Sequence, residues 1–317
     1  MSPSKGLTVA VTGPTGDIGR SYLKALDGHK DVGKVLGMAR RPFDPSSLGL
    51  SDKVRYRQGD ILDPEALDEL FSEADVAVHL AFIIVGSPEE TRRINLEGSR
   101  NVFEAAKQCD RLVYTSSVAA YGFHADNPSP LTEDVPTRGS DGHYYSAQKA
   151  ELEQKIDHPE AYVFRPSIVA GADALFMLEM IPSLVRRLPT AVVPDPGVRF
   201  QLVHTEDVAR ALLAATLGRG EPGVYNLAAD GELTVSDFAH AIGWQAVPVP
   251  RFAAGLAAGL VSRVPLLPAE AYWINAFKTS VVMDTGKART KLRWAPKHDS
   301  RATLMQTVRS AKKKGLV

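Results

Sequence analysis

The sequence predicts an α/β protein organised around a doubly wound parallel sheet. Three observations carry the prediction. Over the first two thirds of the chain, apolar runs of four to six residues alternate with helical patterns. The first of these runs ends in a glycine-rich turn that opens a helix. The chain is 317 residues long and 44% apolar, enough for one large sheet domain and a smaller lobe.

The expected strands are residues 8–12, 34–39, 76–80, 111–115 and 161–164, whose near-continuous Val, Leu and Ala content suits burial on both faces. Helical patterns fall between them at 17–26, 64–71, 89–108 and 144–156. The rhythm changes after Arg165. An apolar helical segment at 175–188 leads to a loop holding Pro189, Pro194 and Pro196, then a strand at 200–203 and a helix at 205–217. Residues 223–227 read as a strand and 234–242 as a helix begun by Thr234. We therefore expect a dinucleotide-binding domain over 1–165 and a smaller substrate lobe over 166–317, with some of the later segments returning to the sheet.

Composition narrows the function. The 37 basic side chains cancel 37 acidic ones, which removes the surplus of Lys and Arg that nucleic acid or an anionic membrane demands. A single cysteine, Cys109, excludes a disulfide framework and a Cys-based zinc site, and suits a cytoplasmic location. The eight histidines show no metal-ligand spacing, so no metal is expected; His79 reads as a core residue, His204 as a structural or lobe-contact residue and His143 as a surface one. The apolar start Leu7 to Val11 is too short for a signal sequence or a membrane span. The stretch 252–261, with Gly255 and Gly259 four apart, is also too short to span and reads as a buried or interface helix. The Lys312-Lys313-Lys314 tail reads as a solvated end.

The first strand runs into Gly13-Pro14-Thr15-Gly16-Asp17-Ile18-Gly19 and then a helix. Glycines at this spacing are informative in that setting: Gly13 permits the turn, Gly16 lets backbone approach a pyrophosphate, and Gly19 lets the helix pack on the strand. The amides of the turn and first helical residues (Gly13, Thr15, Gly16, Asp17, Ile18, Gly19) are the expected phosphate contacts. The second strand should end in an acidic residue if the ribose hydroxyls of NAD are bound. Ala39 stands there instead, followed by Arg40 and Arg41. A guanidinium at Arg40 can pair with a ribose 2′-phosphate, which favours NADP, with NAD the alternative.

Two segments carry chemistry. The strand at 111–115 ends in Ser116 and Ser117, and a helical pattern begins near Tyr144 with Tyr145 and Lys149 one turn apart on one face. A phenol normally titrates near 10, and a neighbouring ammonium is expected to lower it toward useful acid/base chemistry. Ser117 can orient a substrate oxygen. The Pro- and Asp-rich stretch 125–142 between these segments reads either as a binding loop or lid, or as disorder.

These residues resemble the extended short-chain dehydrogenases/reductases, also called the NAD-dependent epimerase/dehydratase family, over most of the chain. Thr12-Gly13 through Gly19 is similar to the family's TGxxGxxG loop on its Rossmann-type sheet. Gly59-Asp60-Ile61-Leu62, Val78-His79-Leu80-Ala81 and Asn95-Leu96-Glu97-Gly98 resemble further family segments. The resemblance implies adenine contacts at Asp60 and Ile61, cofactor contacts at Leu80 and Ala81, and a position near the nicotinamide ribose for Asn95. It implies a catalytic triad of Ser117, Tyr145 and Lys149, the last two also touching cofactor, and nicotinamide contacts at Ser167 and Ile168 in Arg165-Pro166-Ser167-Ile168-Val169. Segments 203–209, 224–227 and 294–296 resemble late family landmarks. Pairing of the 89–108 and 144–156 helices across a two-fold axis, as in relatives, implies a homodimer.

The chain departs from the pattern at Ala170, where the family has Tyr, and in the Arg pair after the second strand. It also carries apolar runs at 82–85 and 175–178. If these line the site, Phe82 foremost, they favour a substrate with apolar area; if they face the core they say nothing. The reading that follows is an NAD(P)-dependent oxidoreductase acting on a carbonyl or secondary alcohol of a small organic molecule. The alternatives are a nucleotide-sugar epimerase or dehydratase that regenerates its cofactor, and a non-catalytic NADP-binding sensor.

Overall fold

The computed structural model describes residues 6–179, 190–195, 197–250 and 279–317. Seven parallel strands form the central sheet in the order β3-β2-β1-β4-β5-β6-β11. They are β1 (Leu7–Thr12), β2 (Val32–Ala39), β3 (Val54–Gln58), β4 (Val76–His79), β5 (Arg111–Thr115), β6 (Ala161–Pro166) and, returning late in the chain, β11 (Gly223–Leu227). The order reverses between β1 and β4, where a doubly wound sheet opens a crevice at its strand ends.

Alternation along β1 explains the two covered faces. Val9 and Val11 point one way, into a core with Tyr22, Leu23 and Leu26 of α1 (Asp17–Asp27). Ala10 points the other way, toward Leu67 and Phe71 of α2 (Pro64–Phe71) and toward Val102 and Phe103. Burying each such Val, Leu or Phe contributes about 1.5–3 kcal/mol, so the sheet is specified by its apolar content.

Helix α3 (Pro88–Arg92) leads through a π-turn, Arg93–Gly98, into α4 (Ser99–Ala105). Sequence periodicity predicts one continuous helix here. The turn arises where the Asn95 side chain is held inward and Gly98 lies so close to Ile61 that an added Cβ would fall 2.5 Å from its side chain. Helix α5 (Tyr144–Glu153) ends earlier than its periodicity suggests.

A second core gathers Leu175 and Leu178 beside α6 (Phe176–Glu179), Phe200 of β9 (Arg199–Phe200), Leu202 of β10 (Leu202–His204), and Leu304 and Val308 of the C-terminal helix Ser300–Lys313. β10 pairs in parallel with β7 (Ile168–Ala170). Thus Leu175 and Leu178 belong to the core and not to a substrate wall. The segment expected to be a proline loop forms in part a strand, β8 (Thr190–Asp195), paired with β12 (Gln245–Pro250). The helix expected at 175–188 is seen over Phe176–Glu179; its remainder, the helix expected at 252–261, Pro189 and Pro196 lie outside the described residues.

The stretch 125–142, expected to be a binding loop or lid or else disordered, is an ordered loop tied into the fold. Leu131 exchanges backbone bonds with Val282 and Asp284, and Arg138 forms a two-pronged pair with Asp126 at 2.9 Å. It straps the sheet to the C-terminal lobe. The faces expected to pair across a two-fold carry Arg100, Glu104, Lys107 and Glu151, joined as Arg100–Glu151 at 2.6 Å and Lys107–Glu104 at 2.8 Å. No described helix is long and apolar enough to cross a membrane.

Candidate active site

The glycine turn lies at the reversal of strand order. Gly13 has φ +77°, and a Cβ there would fall 2.6 Å from the Ala81 amide nitrogen, so its glycine is required by the close approach of the β1 and β4 ends. Gly19 is equally closed, with Gly13 O 2.5 Å from the added Cβ. Gly16 differs. As the N-cap of α1 it would carry a Cβ whose nearest neighbour is 3.7 Å away, so nothing in the chain itself demands glycine there. Its open space is where a phosphate can meet the free amides of the helix start. Thr15 lends its carbonyl to Arg20, and Ile18 is partly buried against the core. Burial raises the Asp17 carboxyl above its ordinary value, and the Glu179 charge adds to the rise.

At the end of β5, Ser117 begins a short 3-10 turn, Val118–Tyr121, its Oγ accepting the Ala119 amide at 3.1 Å. Tyr145 and Lys149 follow on α5. The expected lowering of the phenol by the ammonium is not what the structure gives. Burial pushes Tyr145 above 10, with a Ser117 hydrogen bond working against the rise. Lys149 Nζ donates instead to Thr115 O at 2.8 Å and Tyr114 Oη at 3.3 Å. Burial brings the Lys149 ammonium down to about 7, against an opposing pull from Glu153. Phe82 touches both partners: its ring lies 3.8 Å under Nζ and edge-on to Tyr145 at 5.4 Å.

Behind this cluster is a pair the sequence reading missed. Glu153 accepts three bonds from Arg165 and one from Ser116, and the Arg165–Glu153 pair is all but excluded from solvent. The signal was present, since Tyr145, Lys149 and Glu153 recur every four residues on one helical stripe.

Several expected contacts change character. Asn95 is fully buried and its amide is spent on the chain: Oδ1 accepts the Ile83 amide at 2.9 Å, and Nδ2 donates to Ile83 O at 2.9 Å and Gln148 Oε1 at 2.8 Å. It braces Ile83 against α5. Ile61 turns its side chain into the core, and its carbonyl accepts from Asn101 Nδ2 at 3.2 Å. Ile168 packs on the second core. Leu80 donates its amide to Thr12, and Ala81 abuts Gly13. His143 is buried and not on the surface: it caps α5 by accepting the Ser146 amide, and its ring lies 6.4 Å from Tyr145. His79 is a core residue as expected, held between Thr12 and Ser99, and burial brings it down to about 3.

His204, Glu206 and His298 bring possible ligand atoms within 4.8 Å of one another, which spacing did not reveal. His204 Nδ1 already accepts the Glu206 amide at 3.1 Å.

The residues present fit a dinucleotide. Besides the space at Gly16, the Ser167 hydroxyl, just past the end of β6, is buried without a hydrogen-bond partner among the described residues. Arg40 forms no ion pair among the described residues and lines a cleft of about 460 Å³ with Asp60 and Leu62.

Fold and site together define a Rossmann-type α/β protein with a Ser-Tyr-Lys cluster at its strand ends. The chain belongs to the NAD dependent epimerase/dehydratase family, which it matches over residues 9–228. It is 31% identical over 212 residues to a ceramide reductase of Caulobacter vibrioides, a match covering 65% of this chain and 60% of that protein. The crystal structure of gox2253 superposes with a TM-score of 0.75 at 23% identity, covering 98% of this chain and 99% of that one. DesIV, a dTDP-glucose 4,6-dehydratase of Streptomyces venezuelae with NAD and TYD bound, gives 0.73 at 19% identity, covering 97% of each.

Proposed function

We propose that the protein is an NADP-dependent oxidoreductase that interconverts a carbonyl and a secondary alcohol on a small organic substrate with apolar area. The observation that carries the reading is the hydrogen-bonded Ser117–Tyr145 pair at the end of β5, with Lys149 one turn further on, beside the glycine turn.

The dinucleotide, when bound, would supply or accept the hydride at the substrate carbon. Ser117 orients the substrate oxygen. Tyr145, kept protonated by burial, donates its proton to that oxygen in reduction and recovers it in oxidation. Lys149, fixed by Thr115 O and Tyr114 Oη one helical turn from Tyr145, supplies the amine that tunes proton transfer at the site. Thr15, Gly16, Asp17 and Ile18 offer amides to the pyrophosphate, and Ser167 offers its hydroxyl to the nicotinamide carboxamide. Arg40, in the place of an acidic residue, supports NADP over NAD. Phe82 against Tyr145 and the 54% exposed Val85 support a substrate with apolar area, as does the likeness to a ceramide reductase.

The test follows NADPH oxidation against a panel of carbonyl compounds differing in apolar area. Tyr145→Phe should cost about 10²–10⁴ in turnover while the NADPH dissociation constant stays within about twofold, since the lost group is the proton donor. Equal loss of binding and turnover would overturn the assignment of Tyr145. A second reading is favoured by the likeness to a sugar-nucleotide dehydratase: an enzyme that regenerates bound cofactor would convert substrate with no net consumption of free NADPH.

A further inference from the structure

We propose that Arg93 closes over the purine of the bound dinucleotide, leaving Arg40 alone to meet the ribose 2′-phosphate. The inference rests on the dinucleotide reading above and assigns a role to a residue outside the family's motifs.

The 460 Å³ cleft has the size of a small-molecule site. It runs across the ends of β2 and β3 to the start of the π-turn, and two guanidinium groups line it, Arg40 and Arg93. Neither forms an ion pair among the described residues, although Glu89 stands one turn before Arg93 at a spacing that permits one. Their surroundings differ. Arg40 leaves β2 on a backbone whose carbonyl is tied to Gln58. Arg93 shares its helical segment and the cleft lining with Glu89 and Glu90.

A phosphate dianion is repelled from a wall bearing these carboxylates, so the 2′-phosphate belongs with Arg40. A purine suits the other end. Its exocyclic amine donates to a carboxylate, its faces match Leu62 and Ile94, and a planar guanidinium stacks on its ring. The π-turn sets this arrangement. It begins at Arg93, and the inward anchoring of Asn95 by Ile83 and Gln148 fixes the backbone from which Arg93 and Ile94 project.

Calorimetric titration of the full chain with NADP⁺ and NAD⁺ tests the division. Arg93→Ala should weaken both by a similar factor, about tenfold, and leave their ratio unchanged, because both carry the same base. Arg93→Lys should follow Arg93→Ala, since an ammonium keeps the charge but cannot stack. Arg40→Ala should weaken NADP⁺ alone. The proposal is overturned if Arg93→Ala weakens only NADP⁺, which would make Arg93 a phosphate ligand, if it weakens neither, or if Arg93→Lys restores full affinity. Failure of the wild-type chain to bind either dinucleotide would overturn the underlying reading, an outcome distinct from all of these.

Discussion

Lys149 is the residue on which burial acts most consequentially. Its ammonium has two hydrogen-bond acceptors in the chain, Thr115 O and Tyr114 Oη, and an aromatic face beneath it, yet burial still brings it from 10.5 down to about 7. The direction has a thermodynamic consequence. Between about pH 7 and the unfolded value the unfolded chain holds a proton that the folded chain has lost. This group's contribution to stability therefore rises with pH across that window, and its full penalty stands below about 7. Lys149→Met removes the titration. The melting temperature of this variant relative to wild type should be more favourable at pH 7 than at pH 9.5, as differential scanning calorimetry at the two pH values would show. A gap that is flat or widens with pH would mean that Lys149 is not desolvated. The residue thus gives up stability for a readily deprotonated amine one helical turn from Tyr145, which is intelligible if the site is built for proton transfer.

At the scale of the element, the β1–α1 turn separates two reasons for glycine. Gly13 serves the fold, having φ +77° and the Ala81 backbone against it; Gly16 faces open space. Gly13→Ala should lower stability by more than about 2 kcal/mol, since strained backbone and a clash with main chain must both be relieved. Gly16→Ala should change stability by less than about 1 kcal/mol, the scale of a helix N-cap preference, yet weaken dinucleotide binding at least tenfold. Urea denaturation and cofactor titration of the two variants would check this, and a Gly16→Ala protein that binds as the wild type does would remove the phosphate cradle from that position. The contrast also shows what a sequence discloses. Buried parallel strands such as β1 and β4 are legible because burial on both faces demands unbroken apolar residues. Edge strand β3 was not, because Val-Arg-Tyr-Arg-Gln buries only Val54 fully and reads as a charged loop. The π-turn was not, because it depends on Ile61 meeting Gly98 and on Ile83 holding Asn95. The spacing of Tyr145 and Lys149 was legible, but where Lys149 points depends on Thr115, Tyr114 and Phe82, and the Tyr145 shift on burial and Ser117, all of which arrive from other elements.

Over the whole molecule, the site depends on how the sheet is joined to the C-terminal lobe. Asn226, at the edge of the sheet on β11, is fully buried and is the meeting point. Its Oδ1 accepts from Tyr121 Oη at 2.8 Å, linking it to the turn that begins at Ser117. Its Nδ2 donates to Leu131 O at 3.1 Å in the strap and to Asp284 O at 3.2 Å in the C-terminal segment. Its own amide donates to Glu133, whose carbonyl accepts from Arg165, the partner of Glu153 behind Lys149. One side chain thus ties the serine turn, the strap and the C-terminal lobe together, and no local sequence pattern announces it because its partners are about 60 to 105 positions away. Asn226→Ala removes three side-chain hydrogen bonds and leaves buried partners unmet. At about 1 kcal/mol for each bond, with more where a partner is left unsatisfied, the loss should be about 2–4 kcal/mol. Released from Asn226, the strap should also open more readily, so limited proteolysis should cut within 122–143 in the variant before the wild type is cut. A loss below about 1 kcal/mol with unchanged cleavage would mean that apolar packing of Leu131 and Met283 holds the lobes together without this polar tie.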